Sequence, residues 1–321
     1  MTSPHEEPRF APPSAGTPKS TRSFTFLVNP SSGGGAAPGA VVPVARLLRD
    51  AGATVDVTYS PGPQAMAALV DDAVARGDVV VSVGGDGMLS SLADVVSTRG
   101  GTLAVLPAGR GNDFARMLGL PDAPEAQAGL LLEGDVRRVD LIAVDGIGAA
   151  RRVIAGSVYA GVDARAAEIV DRAHWLPRRL QYPYAALRSL ATYRPGRYVV
   201  AVDGIEHTYE AATVVVANSA YYGKGMQIAP TASVEDGLLD VVVIEAASRL
   251  ALMRSLPKVY DGAHVALPEV TVLSGKLVEL RGTSRAGIPV GGDGEPLGAL
   301  PLLHAAPATI EVLPGALSVI A

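Results

Sequence analysis

The stretch Val79-Val80-Val81-Ser82-Val83-Gly84-Gly85-Asp86-Gly87-Met88 decides the fold. A β-branched run ends abruptly in a glycine-rich turn with one carboxylate at its centre, as a buried strand does when it opens into a binding loop. Gly84, Gly85 and Gly87 can adopt positive φ and let a bulky polyphosphate approach the backbone, while Asp86 can reach a metal or a hydroxyl. Such a turn points to nucleotide chemistry.

Outward from this turn the pattern alternates. Strands are expected over 24–28, 54–59, 79–83 and 102–106, and helices over 41–50, 63–76 and 88–98, each pair separated by Gly or Pro signals. Repeated βα units imply a mainly parallel, doubly wound α/β sheet, whose ligands gather beyond the carboxyl ends of the strands. Three glycine-rich loops fall at those ends, over 29–35, 84–87 and 107–113, and are expected to converge on one crevice. Past residue 136 the texture changes to short β-rich runs over 197–202, 212–217, 239–244, 270–273 and 276–280, which reads as an all-β second domain. Helical insertions are expected over 163–172 and 182–193, with a third over 248–256 that opens on Ser248, a residue suited to N-capping. Residues 308–320 read as two short strands around Pro314-Gly315.

Composition narrows the chemistry. With 321 residues, 48% hydrophobic and 18% charged, the chain can bury a large core and is long enough for two domains. Its 27 basic against 32 acidic residues give a net charge of −5, which supplies no global basic footprint for nucleic acid, so none is expected as a partner. Zero cysteines exclude disulfides, a thiolate nucleophile and cysteine-ligated metal. His5, His174, His207, His264 and His304 lack metal-ligand spacing. Residues 1–23 are rich in Pro, Ser and Thr without an apolar block, and read as a disordered tail rather than a signal peptide. No stretch approaches the roughly 18 apolar residues of a spanning helix. A cytoplasmic location and peripheral membrane contact are the expectations.

Each motif has a plain reading beside the functional one. Asn29-Pro30-Ser31-Ser32-Gly33-Gly34-Gly35 offers N–H groups and hydroxyls to an anion, or is a flexible loop. In Pro107-Ala108-Gly109-Arg110-Gly111-Asn112-Asp113-Phe114-Ala115-Arg116, Arg110 can meet phosphate or be solvated, and Asn112 or Asp113 can cap a helix or touch ligand. Asp236-Gly237-Leu238-Leu239-Asp240 and Gly291-Gly292-Asp293-Gly294-Glu295 can be Asp-Gly hairpin turns or acidic sites.

Taken in order, these five motifs resemble the diacylglycerol kinase catalytic family in its bacterial lipid kinase branch, which also contains the sphingosine and ceramide kinases. The likeness runs from about residue 24 to the C-terminus. It implies a nucleotide domain over 24–140, a β-sandwich lipid-substrate domain over 141–307, an active-site cleft between them, and a segment over 308–321 that returns to the first domain. It also implies ATP as phosphate donor and Mg²⁺. By motif position Asn29, Pro30, Ser31, Ser32, Gly33, Ser60, Gly85, Asp86, Gly87, Met88, Leu89, Ser90 and Ser91 hold the nucleotide, with Arg110, Asn112 and Asp113 beside them. Glu295 takes the general-base position with Asp293 next to it, and Asp86 is a rival base. A structural Mg²⁺ transfers to Asp236 with main-chain oxygens of Ser233 and Leu238. Two departures stand out: Met88 and Arg110 occupy positions where the family usually has threonine, which puts nucleotide affinity and the choice of ATP or GTP in question.

The implied reaction is transfer of the γ-phosphate to a lipid hydroxyl, diacylglycerol to phosphatidic acid. The rival readings are an NAD kinase-like enzyme acting on a soluble hydroxyl and a non-catalytic nucleotide-binding regulator. The expected partners are a lipid and a membrane surface; a homodimer is allowed. Residues 173–193, with His174-Trp175-Leu176-Pro177-Arg178-Arg179 and a Tyr-rich helix, join apolar groups to cations and can dock at an anionic surface, or bury Trp175 in a core with the arginines solvated.

Overall fold

In the computed structural model, residues 22–60, 63–173, 175–192 and 194–321 are described; the expected tail over 1–21, and His174 and Tyr193, lie outside them. The N-terminal half runs β1 (Ser23–Val28), α1 (Ala37–Asp50), β2 (Thr54–Tyr59), α2 (Pro63–Ala75), β3 (Val79–Gly84), α3 (Asp86–Thr98), β4 (Thr102–Pro107), α4 (Asp113–Met117) and α5 (Pro124–Glu133). The strands pair in parallel in the order β2-β1-β3-β4. Period-2 alternation explains the two covered faces: Phe24, Phe26 and Val28 pack with α1 and α5, while Leu27 and Val80 pack with α2 and α3. Arg22 and Ser23, expected in the tail, are held: Arg22 donates to Leu131 O and Gly134 O, and Ser23 belongs to β1, its hydroxyl bonded to Asp78.

The second half continues with β5 (Val136–Asp145), β6 (Arg152–Ile154), β7 (Ser157–Gly161), α6 (Val162–Arg172), α7 (Arg178–Ala191), β8 (Gly196–Val202), β9 (Ile205–Ala217), β10 (Leu239–Glu245), α8 (Arg249–Val259), β11 (Val270–Gly275), β12 (Leu277–Thr283), β13 (Pro289–Gly292), β14 (Glu295–Ala299) and β15 (Ala308–Ile320). Its antiparallel strands enclose a core of Val, Ile and Leu from β5, β7–β10, β12, β13 and β15, the β-sandwich the short β-rich runs foretold. Ser248 caps α8, its Oγ accepting the Ala251 N–H at 3.2 Å.

β15 departs from expectation. It is one strand, not two: the pairing with β5 shifts register between Leu313 and Leu317, so Pro314-Gly315 forms a bulge that leaves the proline without a ladder bond to make. Ser318 and Val319 pair in parallel with β4, whereas Leu277–Leu280 of β12 pair with Ala308–Glu311. The last strand thereby stitches the sandwich to the α/β sheet.

Candidate active site

Three loops interlock at the carboxyl ends of β1, β3 and β4. The Asn29 N–H donates to Val83 O at 3.0 Å and the Ala108 N–H to Gly84 O at 3.0 Å, while the Ser60 N–H, at the end of β2, donates to Val28 O at 2.8 Å. Asn29 Oδ1 accepts both the N–H and the hydroxyl of Ser31, at 3.1 and 2.8 Å, which folds the first loop into a 3-10 turn over Ser32–Gly34. The packing leaves no room for side chains: a methyl on Gly109 would sit 2.3 Å from Gly85 Cα, and one on Gly33 2.5 Å from Ala108 O. Backbone at Gly33, Gly85 and Gly109 is therefore packed against backbone with no side chain between.

α3 starts at this point, with Gly85 as its N-cap. The opening N–H groups of a helix, here those of Asp86, Gly87 and Met88, have no carbonyl one turn back, and with the helix dipole they favour an anion. From Leu89 the N–H is already spent on Gly85 O, at 3.1 Å. Leu89 is buried in the core, Ser90 bonds Asp293, and the Ser91 hydroxyl bonds Gly87 O, so these three expected nucleotide residues direct their side chains elsewhere. Met88 folds back over Gly84, where a methyl would lie 2.8 Å from its Sδ, and packs on the core cluster beneath α3.

Two carboxylates flank the next loop. A methyl on Gly111 would lie 2.9 Å from Asp86 Oδ2 and 3.1 Å from Asp113 Oδ2. Asp86 Oδ1 accepts the Phe114 N–H at 3.2 Å, so α4 is capped from a neighbouring helix; Asn112, expected as one possible cap, sits left-handed at φ 54° and spends its Oδ1 on the Gly109 N–H at 2.8 Å. Nor is Asp113 a cap: it accepts the Lys224 and Gly225 N–H groups at 2.9 and 2.6 Å and pairs with Arg116. Burial pushes the Asp113 carboxyl upward, against the pull of those N–H donors and Arg116.

The β13–β14 turn closes over α3 from the other half. Asp293, at φ 46°, accepts N–H groups from Ala155, Gly156 and Ser157 at 3.0, 2.9 and 2.9 Å and the hydroxyl of Ser90. Its burial pushes the carboxyl up to about 6. Glu295 stands exposed beside the start of α3, where a methyl on Gly87 would meet its Oε1 at 2.9 Å. The glycine at 87 makes room for that carboxylate.

From Asp86, Arg110, Asp113 and Gly294 a cavity of about 570 Å³ runs into the second half, where Ala166, Ala167, Val170, Leu252, Leu256 and Val259 line it. Its wall holds three carboxyls that the sequence reading passed over, Asp163, Glu245 and Glu269; Asp163 accepts the Thr213 hydroxyl at 2.8 Å and the Tyr222 hydroxyl, and burial pushes its pKa up. The only hint in sequence was an acid on the apolar-leaning opening of α6.

Residues 23–144 match the diacylglycerol kinase catalytic domain, and residues 156–321 match the YegS C-terminal NAD kinase beta sandwich-like domain. A diacylglycerol kinase of Mycobacterium tuberculosis (strain ATCC 25618 / H37Rv) is 35% identical over 293 residues, spanning 90% of this chain and 94% of that one. The chain belongs to the diacylglycerol kinase family. Salmonella arizonae has a relative named probable lipid kinase YegS, 26% identical across 67% of each chain. A solved diacylglycerol kinase from Bacillus anthracis str. Sterne shares the fold, with a TM-score of 0.66 at 19% identity over 93% of this chain and 96% of that one.

Within this family member the expected metal loop is compact. Asp236 Oδ1 accepts the Leu238 N–H at 3.0 Å, and Ser233 Oγ accepts the Glu235 N–H at 3.3 Å. Asp140 anchors the loop, accepting the N–H groups of Gly237 at 2.8 Å and Gly315 at 2.6 Å. Among the described residues no three His, Asp or Glu cluster as a metal cage. The Asp236 carboxylate is the one acidic group of the expected set, and with main-chain oxygens of Ser233 and Leu238 it would make an all-oxygen set of the kind Mg²⁺ takes while keeping several waters. Trp175 is 70% exposed, its ring meeting Tyr184 edge-on at 5.7 Å, which removes the reading of a core tryptophan. Among the described residues no helix is long and apolar enough to cross a membrane.

Proposed function

We propose that this kinase transfers the γ-phosphate of ATP to a lipid hydroxyl, with diacylglycerol converted to phosphatidic acid. The observation that carries the reading is the single cavity that joins Asp86, Asp113 and Arg110 to a part lined mainly by apolar side chains of α6 and α8. A soluble acceptor such as NAD gains nothing from that part, whereas each buried acyl methylene contributes about 0.8 kcal/mol.

Phosphoryl transfer asks for alignment and charge neutralisation more than for covalent help. The N–H groups at the start of α3 and the loops around Gly33 and Gly109 cradle the phosphates, and Arg110 adds positive charge. Asp86 and Asp113 are the residues that would hold a catalytic Mg²⁺, which when bound neutralises charge on the β- and γ-phosphates. Glu295 accepts the proton of the attacking hydroxyl. Asp293, with four donors already on its carboxylate, is a positioning residue and not the base.

Membrane contact belongs to the same reading. Leu250, Met253 and Tyr260, at 52%, 40% and 56% exposure, stand on or just after α8, and Arg254 and Lys258 share that helix. With Trp175 they give exposed apolar groups, beside cations, on and near the helix that lines the lipid cavity, the composition of an interfacial segment. Radiolabel transfer from ATP, compared between a lipid extract and NAD, tests the reading. Label in lipid supports it; label in NAD alone, or in neither, overturns it.

A further inference from the structure

A second cavity, of about 260 Å³, lies behind the lipid cavity. Three arginines from three separate elements line it: Arg165 on α6, Arg194 between α7 and β8, and Arg285 between β12 and β13. No aspartate or glutamate lines it, and among the described residues none of the three forms an ion pair. The hydroxyls nearby are engaged: Thr192 Oγ1 donates to Arg188 O at 2.8 Å and Ser284 Oγ to Gly287 O at 2.7 Å, which turns their lone pairs and not their protons outward. The charge asymmetry is thus carried by guanidinium groups alone. Like charges gathered in one concavity repel unless an anion enters, and the planar guanidinium fork matches phosphate oxygens two at a time.

The position matters as much as the charge. Val162, Ser189 and Ala212 line both cavities, so one wall separates the arginine pocket from the lipid cavity. α6 is that partition: Ala166, Ala167 and Val170 face the lipid side, and Arg165 faces the other. We propose that the three arginines form a second binding site, for a phosphate-bearing anion, separate from the nucleotide loops. The anion draws α6, the α7–β8 connection and the β12–β13 connection together, which firms the wall of the lipid cavity. The site stands without the lipid-kinase reading; its effect on lipid turnover rests on it.

Calorimetric titration of the full chain with inorganic phosphate, glycerol 3-phosphate and monomeric dihexanoyl phosphatidate tests the site, first without nucleotide and then with one equivalent of ATP, and the arginine substitutions identify the binding that belongs to this site. Arg165→Gln, Arg194→Gln and Arg285→Gln, singly and together, are compared with wild type. Each single change is expected to weaken binding about tenfold, as loss of a charge-assisted hydrogen bond does, and the triple change to abolish it. Binding of all three ligands identifies a general phosphate site, and binding of phosphatidate alone a lipid headgroup site; either supports the proposal. Absence of binding in wild type, or binding that the substitutions leave unchanged, overturns it. Should the triple variant fail to fold, the three single variants carry the test. Label transfer to lipid without added anion is measured in parallel: its failure in wild type sinks the lipid-kinase reading and leaves the anion site to be judged by titration alone.

Discussion

Ser90 and Asp293 stand 203 residues apart in sequence and share a hydrogen bond. One belongs to the helix that opens at the nucleotide turn, the other to a hairpin of the β-sandwich. Because the same carboxylate also gathers the N–H groups of Ala155, Gly156 and Ser157, it fixes that hairpin over α3 and sets Glu295 beside Gly87. The distance between the loop at Gly87 and Glu295, the proposed phosphate cradle and base, is therefore governed by one carboxyl.

That acid makes stability depend on pH. Asp293 sits at about 6 in the folded protein against the ordinary 3.8 of an aspartate, so the folded state prefers the proton. Its contribution is complete below the unfolded value and is lost as pH rises through about 6. The gap corresponds to about 3 kcal/mol. Urea unfolding of wild type and Asp293→Asn from pH 4 to 7.5 is expected to show a shallower decline in the variant, the difference between the two curves growing across that window; parallel curves would contradict the assignment.

For the base, Glu295→Gln keeps the shape and removes the proton acceptor. Turnover is expected to fall about 10²- to 10⁴-fold, the usual worth of general-base catalysis, with nucleotide affinity unchanged. Normal turnover in this variant, combined with loss in Asp86→Asn, would transfer the role to Asp86.

Much of this was legible in the chain, for physical reasons that can be named. The Val79–Val83 run and the glycines after it could only be a buried strand opening into a loop, and the alternation of Phe24, Phe26 and Val28 with Leu27 is written into the two faces of the sheet. Local rules reached less far where partners come from a distance. Nothing near Asp86 reveals that it caps α4, and nothing near Asp293 reveals three N–H donors from residues 155–157. Leu89 and Ser90 were counted with the nucleotide loop because motif position ignores that α3 has already begun, which turns them toward the core and toward Asp293. Met88 shows the reverse: the hydroxyl lost there was a side-chain argument, whereas its N–H is what the helix start presents to an anion.

Close approach of backbone to backbone gives a sharper test than any side chain at the loops. Gly109→Ala places a methyl 2.3 Å from Gly85 Cα, where neither chain can yield, and is expected to cost about 1–3 kcal/mol while impairing nucleotide binding. Gly39→Ala, on α1 with nothing within 4 Å of the new methyl, is expected to raise stability by about 0.5–1 kcal/mol. Thermal or urea unfolding of both decides it; equal effects would mean that loop packing is looser than the structure has it.

Filling the apolar part of the cavity separates acceptor from donor. Ala167 lines the cavity on α6, away from Asp86 and the phosphate loops, and Ala167→Trp puts an indole where an acyl chain would lie. Lipid KM is expected to rise about tenfold or more, since even two or three methylenes displaced at about 0.8 kcal/mol each exceed the 1.4 kcal/mol of a tenfold change. Nucleotide affinity is expected to hold. A short-chain diacylglycerol should recover part of the loss, because its tails end before the obstruction; equal impairment of short and long chains would place the acyl groups outside this cavity.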